Sequence, residues 1–202
     1  MNKNTPIDSN IDDKAASRLL PAIRFSIITI LVVGLSYPIV ATVVGGLLFP
    51  RQANGSLIMR DGKAVGSSLV AQSFVGDRYF QSRPSAANYD PRALAGSNLA
   101  STNPALRERM LQSSKAIAAR ENIAVNTIPV DMITASGSGI DPHISPESAR
   151  VQLARVAKAR VLTAAQVQAA IDANTEMPTF GVLGQARVNV LQLNLALDAI
   201  TP

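Results

Sequence analysis

The sequence predicts an α+β protein, with a single N-terminal transmembrane helix followed by one mixed helix/strand domain. Three observations carry this. Phe25–Pro50 contains no Asp, Glu, Lys, Arg or His and is closed by Arg24 and Arg51. Residues 51–202 suffice for one domain, which at that size buries roughly 68–70% of its unfolded surface. Within them, helix starts and strand-like runs follow one another without a regular βα rhythm.

Residues 1–24 are a short polar tail, opening MNKNTPIDSNIDDK without periodicity, and the first 20 are expected to be mobile. Residues 25–50, as a helix, span about 39 Å against a hydrocarbon core of about 30 Å, and tilt takes up the surplus. A buried soluble helix needs a polar face, and a cleaved leader needs a shorter core and a small-residue exit. This stretch has neither, so an uncleaved anchor is expected. Gly34, Pro38, Ala41 and Gly45 stand at i, i+4, i+7 and i+11, a small-residue face suited to packing against another membrane helix.

Residues 51–202 form the remaining domain. Leu57-Ile58-Met59, Asp61-Gly62 and Val65 give a hairpin signal. From Tyr79 to Pro104 the prolines Pro84, Pro91 and Pro104 exclude a long helix, while Tyr79, Phe80 and Tyr89 favour order. Asn103 caps a helix running to about Glu121, with Pro104 in its first turn. IPVDMITASGSGI reads as a short strand entering a glycine turn. Ser145-Pro146-Glu147 starts another helix, and Thr163 a third that ends near Ala173. Phe180–Gly184 is a connector. Arg187–Ile200 fits both helical spacing (Val188, Leu191, Leu195) and period two, and helix is preferred.

Composition excludes several functions. The chain has no cysteine, which removes thiolate metal sites, thiol catalysis and disulfides. Its net charge is +5, yet Trp is absent, Tyr and Phe number three and five, and the basic residues are scattered. Stacking platforms and basic stripes for nucleic acid are therefore missing. Gly62-Lys63 is followed by Ala64, so no P-loop exists, and one histidine, His143, cannot build a multi-histidine site. Basic residues flank the span almost evenly (Lys14, Arg18 and Arg24 before; Arg51, Arg60 and Lys63 after), leaving orientation open.

The densest functional stretch is Ser136-Gly137-Ser138-Gly139-Ile140-Asp141-Pro142-His143. Glycine turns present N–H groups to anions, so a phosphate cradle is one reading. A cation site using Asp131 and Asp141 is another, and a membrane-anchored hydrolase using Ser138 and His143 a third, although Ser138 does not sit in G-x-S-x-G. A purely structural turn, with His143 packed and Ser145 capping, is favoured on physical grounds. Arg83-Pro84-Ser85 reads likewise as a loop brace.

Five blocks, GSSLVAQSF, YFQSRPSAANYD, GSNLASTNP, PVDMITASGSGIDPHISP and RVNVLQLNLALD, follow the single membrane helix in fixed order. Together they resemble the C subunit of the bacterial Kdp-type potassium-transporting ATPase, across the whole chain after the tail. The resemblance implies a non-catalytic, single-pass subunit of a high-affinity, ATP-driven potassium uptake complex in the bacterial inner membrane. Its implied partners are a channel-like potassium-translocating subunit, a P-type ATPase subunit and a small single-helix subunit, besides membrane lipid. It implies a cytoplasmic N-terminus and an extracytoplasmic, periplasmic domain. No catalytic residue, metal or cofactor of its own is implied; ATP would be met through the ATPase subunit, and potassium is the transported ion. The family is described as an assembly factor and catalytic chaperone that raises the ATP affinity of the ATPase subunit. Its nucleotide-like loop falls here on Gly96-Ser97-Asn98 or on Ser136–Gly139, with Asp141 and His143 adjoining. Leu94-Ala95 replaces the usual Ser-Gly, and Gln185-Ala186 the usual Glu-Pro. A periplasmic domain conflicts with direct ATP contact, so a cap over the potassium entrance is the alternative.

Overall fold

The computed structural model describes residues 9–200, and the chain divides into two compact units at Asn54–Gly55. The mixed helix and strand content, with one long apolar helix near the N-terminus, agrees with the α+β expectation. Of the expected tail, residues 1–8 lie outside the described residues. From Ser9 the chain is helical.

The first unit is nearly all helix. Helix α1 covers Ser9–Thr29, a π-helical stretch Ile30–Ser36, α2 Tyr37–Leu48 and α3 Pro50–Ala53. Leu19–Leu48, 30 residues, is long and apolar enough to cross a membrane, and its hydrophobic side chains are exposed along its length. The π stretch has a cause in the sequence. Pro38 has no N–H, and its ring would press on the carbonyl four residues back, so the preceding turn widens. Accordingly Tyr37 N–H bonds to Val32 O, five residues back.

In the second unit, β1 (Leu57–Arg60) and β2 (Lys63–Ser67) form the expected antiparallel hairpin. Asp61 and Gly62 both take positive φ, 51° and 73°, as a two-residue hairpin turn requires. Helix α4 spans Pro104–Glu121, with Asn103 Oδ1 accepting Ala105 N–H at its start. After a 3-10 turn at Val125–Thr127, α5 occupies Val130–Ile133. The expected strand there is thus helical. Thr134 N–H and its hydroxyl both reach Val130 O, closing one helical turn where a strand would have sent them sideways.

Strand β3 (His143–Ile144) leads into α6 (Pro146–Arg160), capped by Ser145, whose hydroxyl accepts Ser148 N–H. Helix α7 (Ala164–Ala173) begins with a complete capping box between Thr163 and Gln166. Strands β4 (Thr175–Glu176) and β5 (Arg187–Asn189) precede α8 (Val190–Ile200). The ambiguous C-terminal segment is therefore strand first and helix after. The strands form an antiparallel sheet ordered β3-β5-β4, with Ile144 and Thr175 both opposite Val188. Buried Phe80, Val156, Val167, Ile171, Leu193 and Leu197 belong to the core that joins this sheet to α6, α7 and α8.

Between β2 and α4, residues 68–103 contain no helix or strand, yet they are held firmly. Phe80, fully buried, donates its N–H to Asn194 Oδ1 at 2.8 Å, and its carbonyl accepts Asn194 Nδ2 at 2.9 Å. Gln152 does the same for Gln81, accepting its N–H at 2.8 Å and donating to its carbonyl at 3.2 Å. Two carboxamides thus replace a neighbouring strand. Arg155 adds bonds to the carbonyls of Asp77 and Tyr79, and Arg160 one to Arg78. Glu121, its side chain fully buried, receives Arg120 at 2.6 Å and Arg155 at 3.0 Å, and Asp198 receives Arg160 at 2.8 Å, so the cations that hold the loop are themselves fixed.

Candidate functional site

The glycine-serine loop is built by its neighbours rather than by its own helices. Ser136 N–H donates to Pro84 O at 2.9 Å, and Ser85 Oγ donates to Gly139 O at 2.6 Å. Arg83-Pro84-Ser85 therefore does brace a loop. Inside it, Ser136 Oγ accepts the N–H groups of Gly139 and Asp141, at 3.1 and 3.3 Å, while Ser138 Oγ accepts that of Ile140 at 3.2 Å. Four N–H groups that could face an anion are engaged within the chain.

The two candidate loops meet. Ala95 N–H donates to Ser138 O, and a Cβ placed on Gly96 would lie 2.7 Å from Gly137 O, too close for any side chain. Gly139, at φ +77°, is pinned in the same way between Ala87 and Ala95. Asn98 completes the turn at φ 46°. Ala95 and Gly96 thus lie against Gly137–Gly139, a contact between segments about 40 residues apart that the sequence did not announce.

Beyond the loop lies an open cleft of about 620 Å³, lined among others by Arg83, Asp131, Asp141, His143, Ser145 and Arg187. Arg83 donates to Asp141 Oδ2 at 3.1 Å, and His143 N–H to Asp141 Oδ1 at 3.0 Å, with His143 Nδ1 3.6 Å from the same oxygen. Burial works against the Asp141 charge, but the His143 hydrogen bonds and the Arg83 guanidinium outweigh it and hold this carboxyl below its ordinary value. Tyr89 donates its hydroxyl to Arg83 O at 2.9 Å, and burial raises its pKa.

The arrangement decides among chemistries. Asp131 gives its oxygens to Ser145 N–H, Ser145 Oγ and Ser148 Oγ, at 2.8, 3.0 and 2.6 Å, and so locks the start of α6. Asp131 and Asp141 are thus engaged by different partners, and among the described residues no three His, Asp or Glu side chains gather as metal ligands. Ser138 Oγ lies 3.2 Å from Ser136 Oγ, whereas His143 faces Asp141, so the pair lacks the nucleophile–base bond that a hydrolase needs. Gln185 and Ala186, the second departure from the resembling family, form part of the cleft wall. In the membrane helix, Pro38, Ala41 and Gly45 share α2, and Gly34 lies in the π stretch. A Cβ on Gly45 would meet nothing within 4 Å.

Sequence reasoning missed Asn194, Gln152, Arg155 and Glu121, the groups that fix the loop carrying Arg83. Their partners lie 114 and 71 residues away for the two carboxamides. An Asn and a Gln within apolar helix faces were the only available signal.

Comparison with known proteins places these features in context. The family described as "KdpC: K+-transporting ATPase, c chain" matches residues 19–199. A protein of Shewanella putrefaciens, named Potassium-transporting ATPase KdpC subunit, is 53% identical over 178 residues, covering 88% of this chain and 89% of that protein. Proteins of the same name from Xanthomonas campestris and Methylococcus capsulatus are 53% and 48% identical, covering 86% and 89% of this chain and 83% and 96% of theirs.

Proposed function

The chain belongs to the KdpC family, the c chains of K+-transporting ATPases, and from that premise we propose that it is an accessory, non-catalytic subunit of an ATP-driven potassium uptake complex. In this reading Leu19–Leu48 anchors it in the bacterial inner membrane, with the N-terminus cytoplasmic and the second unit periplasmic. Its partners are the channel-like subunit, the P-type ATPase subunit and the small single-helix subunit. The observation that favours a non-catalytic role is the self-contained loop. Ser136 and Ser138 bind their own backbone, and His143 is paired with Asp141 rather than hydrogen-bonded to either serine.

The same observation favours one mechanism over another. N–H groups already bound to serine hydroxyls and to Pro84 O are poor grips for a phosphate. We therefore favour a periplasmic cap at the potassium entrance of the channel-like subunit. Any rise in ATP affinity then comes through the partner subunits rather than through nucleotide held on this chain.

One experiment tests the reading, using the absence of cysteine. A Lys63→Cys variant, at an exposed hairpin position, is treated in intact cells with a membrane-impermeant maleimide. Labelling in intact cells is expected. Protection until lysis would place the domain with cytoplasmic ATP and return the chaperone mechanism to the front. Pull-down of the three partners with the same chain tests the assembly role, and a chain recovered alone would refute it.

A further inference from the structure

The membrane span contains a main-chain acceptor that its own helix leaves unmet. In a helix each carbonyl accepts from the N–H four residues on, or five residues on in a π turn. For Val33 those two donors would be Tyr37 and Pro38. Tyr37 N–H goes to Val32 O, and Pro38 has no N–H to give. Among the described residues no side chain is bonded to this carbonyl, the nearby Ser36 hydroxyl included. The proline that widens the turn thus diverts one donor and removes the other. Val33 is the fifteenth of the 30 residues of Leu19–Leu48, so roughly 20 Å of helix lies on either side of it. Half the hydrocarbon core is about 15 Å, which sets this carbonyl near the depth where water is scarcest.

We infer that the Val33 carbonyl is a docking point for a membrane helix of a partner subunit, one that brings an O–H or N–H donor to the middle of the bilayer. The inference rests on reading Leu19–Leu48 as the anchor of a subunit in a larger complex. An unmet polar group in hydrocarbon is strongly penalised, and spanning helices that contain proline recover the lost bond from neighbouring helices, hydroxyls or ordered water. Lipid tails have no donor to offer. A cation would need a ring of such oxygens rather than one. Ser, Thr, Asn, Gln and His are the side chains that ordinarily bridge membrane helices, and each of them can supply the proton. Close approach is available on this turn. Gly34 follows Val33 directly, and a Cβ there would meet nothing nearer than Ile30 Cγ2 at 3.8 Å. Val32, Val33 and Leu35 around it are exposed. The partner's donor therefore adds a polar anchor, at one depth, to a face that small residues alone would leave free to slide.

The carbonyl itself can be observed. Because the chain has no cysteine, residue 53 serves as a traceless junction. A synthetic segment 1–52 is ligated to residues 53–202 carrying Ala53→Cys, which desulfurisation returns to Ala. Val33 in the synthetic segment carries a doubly isotope-labelled carbonyl, whose infrared band stands apart from the rest of the main chain. The full chain is studied in vesicles of phosphatidylethanolamine and phosphatidylglycerol, alone over a range of lipid dilutions and co-reconstituted with the three partner subunits. Pro38→Ala lets the turn return to α-helical bonding and gives the bonded reference frequency. The inference expects a high-frequency, unbonded band from the chain alone at every dilution, moving to the bonded frequency on assembly. Partner association without that movement would overturn the inference and leave the subunit reading standing. Failure of the partners to associate would overturn the subunit reading, and the inference with it. A bonded band in the chain alone would also overturn it. Loss of that band in Ser36→Ala would assign the donor to this same helix, loss on lipid dilution to a second copy, and persistence through both to water.

Discussion

Two irregular segments of the second unit follow opposite rules. Residues 68–103 are rich in Ser, Asn and Pro, yet they carry fully buried Phe80 and are fixed by Asn194, Gln152, Arg155 and Arg160. Residues 177–186 are apolar and charge-free, yet they project their side chains into solvent. Composition alone would have put the first outside and the second inside. Partners for the backbone decide the matter: a buried segment needs every N–H and C=O met, and here distant side chains meet them.

The comparison can be broken most forcefully at Glu121. Glu121→Gln leaves Arg155 and Arg120 without their anion and should cost about 3–5 kcal/mol, as removal of one partner from a buried ion pair does. Urea denaturation of the detergent-solubilised chain measures it, and a change under about 1 kcal/mol would show that the loop does not depend on that pair. Next in size is Asn194→Leu, similar in shape but mute to the backbone. It strands the N–H and C=O of Phe80 at about 1–3 kcal/mol each, and at roughly 2–4 °C per kcal/mol the melting temperature should fall by about 4–24 °C. An unchanged melting temperature would mean that the Phe80 groups find other partners.

Asp141 gives a subtler effect with a defined sign. Its folded carboxyl titrates below the ordinary value, so its contribution is complete above the unfolded pKa, about 3.9, and is lost as pH falls through the depressed folded value. Asp141→Asn should therefore flatten the acid side of the stability profile and leave its slope above neutrality unchanged; an unaltered acid limb would argue against the Arg83–Asp141–His143 cluster. The smallest effect belongs to the second segment. Phe180→Asn, at φ 56° and exposed, should change stability by within about 0.5 kcal/mol, since Asn tolerates that conformation better than Phe. A loss above 1 kcal/mol would make that segment part of the fold and end the contrast.

Local signals were legible where local chemistry decides. Asp61-Gly62 announced its turn, while Asn103-Pro104, Ser145-Pro146 and Thr163 announced three helix starts, each through a hydrogen bond within a few residues. Val130–Ile133 was misread because its decisive contacts, Asp131 to Ser145 and Ser148, lie 14 and 17 residues on. The C-terminal segment satisfied two periods because it contains both elements in turn. At the candidate site, the residues were visible as a glycine-serine cluster. Their mutual saturation, and the stacking of Gly96 on Gly137, depend on the path of residues 68–103 and could not be read from spacing.

The side-chain pairing at Phe80 and Gln81 also bears on solubility. A stretch of chain with free N–H and C=O groups can act as a template onto which another chain adds by main-chain bonding. Here the N–H and C=O of both residues are already taken by carboxamides of the same molecule. No free rungs remain at those positions, so this stretch cannot seed edge-to-edge association while Asn194 and Gln152 are in place.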